Sequence, residues 1–346
     1  MRNRAFKWLS HACRIVLGVT FIFSGFVKTV DPWGTAIKIQ EYLSIYGLES
    51  LSGLRFGFSI WLCGAELMMG LMLLFKVRIR LISIFALASM VFFTVLTFLS
   101  ATWLPVEDCG CFGDAFTLGH GATLLKNVLL WALAVWHLWV VRAETWHGLK
   151  GWRTTACCAV FSLAVPLYSA VWLPPVDFLP FGRGAALSAV PGFGVYDGRY
   201  EEVTDSLMEV SGSKPLVAVV SRRTLTADDL RKLSGLRAEA GAGRISLCLW
   251  TLPGLNGGAG MDVFYTDEVT LKSLLRAEVG FVVVDGGIVR AKRNLSVFRP
   301  ARFGRNVTVG EMMEEDAGLP WRYGVCVLAG LAVMVWVRRK ETEGGR

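Results

Sequence analysis

"LISIFALASMVFFTVLTFLSATWLPV" occupies Leu81–Val106 and contains no charged residue. A helix that crosses a membrane needs about 20 mostly apolar residues, so this run decides the class of fold. A second charge-free run covers Thr154–Val176. Four further stretches fit with one charged residue each. These are Trp8–Val27 with Arg14, Phe56–Phe75 with Glu66 in its middle, Ala122–Val141 with Lys126 near its start, and Trp321–Val337 with Arg322 at its edge. The composition agrees, since 53% of the 346 residues are hydrophobic and only 18% charged. Six spans are expected, the sixth being the shortest. The basic start resembles a signal peptide, but no small-residue cleavage site follows, so a retained first span is expected.

Orientation follows from Lys and Arg in the short connections. Arg2, Arg4 and Lys7 precede the first span, Lys76, Arg78 and Arg80 join the second to the third, and Arg338, Arg339 and Lys340 follow the sixth. Arg142, Lys150 and Arg153 join the fourth to the fifth, against Glu144. The alternate connections are balanced or acidic: Glu107, Asp108 and Asp114 stand between Leu104 and Gly121 without a base. Both termini are therefore expected in the cytoplasm, with the third-to-fourth connection on the outside. The net charge of +8 belongs to the membrane part, because Asp177–Pro320 holds 17 basic and 18 acidic residues. The charge therefore gives no support to a nucleic-acid partner, none is expected, and the lipid bilayer is the first partner.

Between Val171 and Gly184, "VWLPPVDFLPFGRG" has the prolines that end a helix and open a linker. The expected organisation is a four-helix membrane bundle over residues 1–150, a fifth span and linker over 151–184, a soluble domain over 185–320, and a final span with a basic tail over 321–346. In the soluble part, "PLVAVVS" (Pro215–Ser221) and "RISLCLW" (Arg244–Trp250) read as strands. Thr226 opens a helix between them, "VTLKSLLRAE" reads as another helix, and "GFVVVDGGIVRAK" is a hairpin turning at Asp285-Gly286-Gly287. This order predicts a thioredoxin-like α/β domain. It lacks that fold's redox chemistry, since Ser221-Arg222-Arg223-Thr224 stands where Cys-x-x-Cys belongs and Val279 where a proline belongs.

The stretch with chemistry is "PVEDCGCFGDAFTLGHGATLLKN", Pro105–Asn127. Cys109 and Cys111 face an oxidising compartment in this topology, where paired thiols form disulfides or bind metal. A bridge across one residue is strained, and Gly110 relieves part of that strain. Strained, exposed disulfides are the labile, catalytic ones, whereas a staple on so short a loop removes little unfolded-state entropy. Asp108 and Asp114 oppose thiolate formation, while Lys126 at the next helix start favours it. The rival is a zinc or copper site made by both thiolates, His120 and a carboxylate. Cys13, Cys63, Cys157, Cys158, Cys326 and Cys248 read as small apolar residues in spans or a core strand. Glu66 is costly in mid-span. It reads either as the buried partner of Lys28 or Arg14, or as a proton-handling group beside a quinone, the candidate membrane carrier. Lys28 by itself reads as a residue snorkelling to the interface.

"CRIVLGVTFIFSGFVKTVDPWG" (Cys13–Gly34), Glu66 with Gly70, "DCGCFGD" (Asp108–Asp114) and "TLLKN" (Thr123–Asn127) together resemble the DoxX/MauE-like membrane proteins. The likeness is greatest to the Bacteroidetes type that carries a thioredoxin-like domain after the bundle. The resemblance implies a four-helix membrane bundle similar to the vitamin K epoxide reductase type. It also implies, for MauE members, help in maturing a disulfide-rich periplasmic partner. The positions carried over are Arg14, Gly18, Ser24, Gly25, Lys28, Glu66, Cys109, Cys111, Gly113, Asp114, Lys126 and Asn127. The reading is thus an inner-membrane protein exchanging thiols through Cys109 and Cys111, with electrons passing to or from a membrane carrier. The alternatives are a non-enzymatic scaffold or assembly factor with a structural disulfide, and a copper- or zinc-handling protein.

Overall fold

The computed structural model describes residues 4–103, 110, 113, 118–142, 151–255, 260–299, 301–302, 305–306 and 308–343. The chain divides into two compact units, residues 1–170 with 325–346, and residues 171–324. Six helices are long and apolar enough to cross a membrane: Trp8–Val30, Glu49–Leu74, Ile79–Thr102, His120–Val141, Trp152–Trp172 and Leu319–Glu343. Each of the six expected spans falls on one of these helices. The last is longer than expected, because its helix continues beyond the apolar residues into the basic tail.

In the first unit, α1 (Arg4–Val30) stops at Asp31, where the following proline disfavours helical backbone. Asp31 then caps a new helix, accepting a hydrogen bond from the Gly34 amide at 2.9 Å, with Pro32 in the first position. The connection expected here is thus helix α2 (Pro32–Ile45), followed by a short 3-10 turn, Glu49–Leu54. Mixed polarity hid α2 from the apolar criterion. It rests on α3 (Arg55–Leu74): Ser59 Oγ donates to the Pro32 carbonyl at 2.5 Å, and Trp33 packs on Phe56 at 4.4 Å between ring centroids.

Helices α1 and α3 run antiparallel in close contact. A Cβ on Gly25 would lie 2.4 Å from the Leu67 nitrogen, and one on Gly70 would lie 2.5 Å from the Ile22 nitrogen. Small residues are what let membrane helices approach until their backbones touch. α4 (Ile79–Thr102) and α5 (His120–Val141) pair antiparallel beside them. Leu17, Phe21, Leu67, Leu73, Ala86 and Ala134 form the shared apolar interior, while Phe85, Phe92 and Leu129 point outward. α6 (Trp152–Trp172) contains Pro166, which cannot donate to the Ser162 carbonyl one turn back. Gly64 of α3 fills that position, since a Cβ there would sit 2.9 Å from the same oxygen.

The second unit is a five-stranded mixed sheet in the order β3-β2-β1-β4-β5. It begins with α7 (Thr204–Ser213) and β1 (Leu216–Ser221). The expected helix after Thr226 is two helices, α8 (Ala227–Lys232) and α9 (Ser234–Gly241), meeting at Leu233. β2 (Ser246–Thr251) pairs parallel with β1, and β3 (Asp262–Tyr265), which the sequence reading missed, pairs parallel with β2. α10 (Glu268–Leu274) leads into β4 (Val279–Asp285), and β4 and β5 (Ile288–Asn294) form the expected hairpin. Gly286 and Gly287 have φ of 58° and 74°, the left-handed pair that a tight hairpin turn requires. A two-residue ladder, β6 (Ala301–Arg302) with β7 (Arg305–Asn306), precedes α11 (Val309–Ala317) and α12 (Leu319–Glu343).

Both sheet faces are covered. Leu216, Ala218, Val220 and Trp250 pack with Leu271 and Leu274 of α10 and with Leu187 and Val195 of the preceding segment. Val217, Val219, Phe281 and Val283 pack on the other side with Leu233, Leu236, Val309 and Met312. This is the period-two alternation of strands buried on both faces. At the end of β1, Thr226 and Asp229 form a reciprocal cap, and Arg223 grips Asp229 with two nitrogens at 2.7 and 3.2 Å. Burial raises the Asp229 carboxyl, but the hydrogen bonds from Arg223 and Thr226 outweigh it and hold the group at about 2.

Candidate functional site

Three residues singled out in the sequence meet between α1 and α3. Lys28 Nζ donates to Glu66 Oε1 at 2.7 Å and Oε2 at 2.8 Å, and lies 3.1 Å from Ser24 Oγ. Ser24 Oγ in turn donates to Glu66 Oε2 at 2.7 Å. Lys28 is 4% exposed and Glu66 1%, so the expectation that Lys28 snorkels to the interface is corrected. The reason is geometric: Lys28 and Ser24 are one turn apart on α1, and the glycine contact brings that face onto Glu66. An ion pair so deep persists only when hydrogen bonds satisfy both charges. The Lys28 ammonium also stands 5.3 Å from the centroid of Phe93, an attractive cation–ring distance.

Arg14, the other candidate partner of Glu66, lies elsewhere. Its Nη1 donates to the carbonyls of Leu73 and Leu74 at 2.6 and 2.8 Å. It therefore caps the negative end of α3. Gly18, between Arg14 and Gly25, belongs to the same contact, with a Cβ there 2.7 Å from Leu74 Cδ2.

A cleft opens beside the ion pair. Ser24, Lys28 and Glu66 form one wall, Lys126 and Asn127 of α5 another, and Met90 and Phe93 of α4 a third. Its volume is about 330 Å³ with the open mouth included, but the enclosed part holds little more than a water molecule. Asn127 is 2% exposed and donates to Thr97 Oγ1 at 3.0 Å and the Phe93 carbonyl at 3.3 Å, which ties α5 to α4. Five residues picked from the sequence, Ser24, Lys28, Glu66, Lys126 and Asn127, thus line one cleft. Met90, Phe93 and Thr97 were missed, since nothing distinguishes them in a charge-free run.

Cys109, Cys111, Asp108 and Asp114 lie outside the described residues. Gly110 and Gly113 are described: their φ values are 60° and 54°, and the Gly113 amide donates to the Gly110 carbonyl at 3.0 Å. A Cβ on Gly110 would be 3.3 Å from Lys38 Cγ of α2, and one on Gly113 would be 3.6 Å from Val27 Cγ1 of α1. Gly110 thus adopts a left-handed backbone, and it sits against the end of the bundle that holds the ion pair. Among the described residues no three metal-ligating side chains converge. Of the proposed metal ligands only His120 is described, at the first position of α5.

The residues and the helices together define a multi-pass membrane protein with a charged cleft inside its helix bundle. Residues 6–140 match the family described as Methylamine utilisation protein MauE, so this segment is similar to the DoxX/MauE-like membrane proteins. No curated protein and no solved structure matches the chain.

Proposed function

We propose that the protein acts in the maturation of an extracytoplasmic partner by thiol–disulfide exchange at Cys109 and Cys111. The observation that carries this reading is Gly110, held left-handed between the two cysteines and against Lys38. Positive φ at the middle residue suits a one-residue bridge. In the exchange a partner thiolate attacks one sulfur of the Cys109–Cys111 disulfide, the S–S bond breaks, and a mixed disulfide forms. The partner's second thiolate then releases its own disulfide. The partner is oxidised, the pair is left reduced, and two thiol protons pass from the partner to the pair. Return to the disulfide requires a two-electron acceptor. No electron step is placed at the cleft beside Lys28 and Glu66, whose enclosed part is water-sized.

The second unit is proposed as the module that recruits the partner. It is a mixed sheet ending in the β4–β5 hairpin, and its single cysteine, Cys248, is buried with its thiol pushed up by burial. That same observation favours the second reading, a scaffold whose cysteine pair is a staple. The two readings separate on single substitutions. Cys109→Ser or Cys111→Ser in intact cells should accumulate a reducible adduct with another protein. If neither variant shows an adduct and both keep function, exchange is excluded and the scaffold stands.

A further inference from the structure

The end of the first unit opposite Gly110 gathers bases from three distant parts of the chain. Lys76, Arg78 and Arg80 come from the α3–α4 turn, Arg153 from the start of α6, and Arg338–Lys340 from the end of α12. Arg338 Nη2 donates to the Lys76 carbonyl at 3.2 Å. Gly151 lies between them, since a Cβ there would be 3.0 Å from Val77 Cγ1 and 3.6 Å from Arg338 Nη1. Glu341 reaches back to α6, accepting from the Arg153 amide at 2.8 Å and the Thr154 hydroxyl at 2.5 Å.

The described carboxylates of this cluster are already engaged. Glu341 caps α6, and Glu343 pairs with Arg339 at 2.8 Å and Lys340 at 3.9 Å. α4 has no such cap: its first turn begins at Arg78, which has φ of 46° and makes no side-chain capping bond. Arg78 Nε is buried without a hydrogen-bond partner among the described residues. Trp152, 54% exposed, lies beneath the Arg153 guanidinium at 5.8 Å, the amphipathic ring that sits at headgroup depth. The local balance is strongly positive at the ends of apolar helices, which is the arrangement that binds anionic headgroups.

We propose that this basic cluster is a binding site for an anionic phospholipid, its phosphodiester held by Arg78 and Arg338 and its acyl chains lying on α4 and α12. The occupant is a lipid rather than a free anion because the cluster is continuous with the exposed apolar faces of those helices, Phe85 on α4 and Val335 and Trp336 on α12. The inference is independent of the thiol chemistry.

The test adds dioleoylphosphatidylglycerol or dioleoylphosphatidylcholine to the full chain in an uncharged detergent and follows bound lipid by native mass spectrometry, with thermal melting alongside. Phosphatidylglycerol should bind saturably and raise the melting midpoint, and phosphatidylcholine should do neither. Arg78→Gln with Arg338→Gln should remove at least half of that preference. Arg199→Gln with Arg231→Gln, an equal loss of charge on exposed residues of the second unit, should leave it unchanged. Should the first pair fail to fold, Arg80→Gln with Arg339→Gln, both exposed, should weaken binding in its place. Equal binding of the two lipids, the same effect from glycerol 3-phosphate alone, or a preference that survives the substitutions in the cluster would overturn the proposal.

Discussion

Glu66 and Lys28 show how far one residue carries the argument. A carboxylate in mid-span announces itself in the sequence, because burying it alone is prohibitive. What it meets is decided by packing, and two candidate bases stood on the same helix. Removing either partner leaves an uncompensated buried charge, so Lys28→Met or Glu66→Gln should each cost about 3–5 kcal/mol. Thermal melting in detergent reads this, and the double variant Lys28→Met/Glu66→Leu should recover most of the loss. If the single variants melt like the parent, the pair does not stabilise the bundle. Asp229 makes the same argument in the second unit. Its folded pKa of about 2 lies below the unfolded carboxylate value, so its contribution is complete above about 4 and is lost as pH falls toward 2. That contribution is about 1–2 kcal/mol at neutral pH. Asp229→Asn should flatten the acid limb of the stability profile over that window, and an unchanged limb would contradict the assignment.

Among the elements, α1 and α3 form the pair on which the site depends. Gly25→Ala would place a methyl 2.4 Å from the Leu67 nitrogen, and Gly70→Ala one at 2.5 Å from the Ile22 nitrogen. Backbone cannot give way as a side chain can, so each should destabilise the bundle by about 2–3 kcal/mol and separate Lys28 from Glu66. Gly57→Ala, with nothing within 4 Å of its Cβ, is the control and should be silent in the same melting experiment. These elements differ in how plainly the sequence shows them. Six long apolar runs and the Asp285-Gly286-Gly287 turn are legible because membrane length and left-handed backbone each demand a recognisable composition. α2 is not, because a half-buried helix of mixed polarity lacks the continuous apolar run of a span. β3 is not, because its Asp262–Tyr265 run is short and carries a charge at its start, and its partner β2 supplies the pattern.

At the scale of the whole molecule, two kinds of unit share one chain. The helical unit has the long apolar elements and the charged cleft; the other has a sheet buried on both faces. The membrane class and the polar residues of the cleft were readable from residue type, since charges are rare in such a chain and each must be accounted for. Their convergence on one cleft was not readable, because it depends on which helix faces meet. The central claim rests on the cysteines beside Gly110, and the redox state of that pair is the most direct test. Intact cells carrying a variant in which Cys109 and Cys111 are the only cysteines would be treated with a bulky, membrane-impermeant maleimide, before and after mild reduction. The account predicts labelling only after reduction, as befits an external and easily reduced disulfide. Full labelling before reduction, or none after it, would contradict the account.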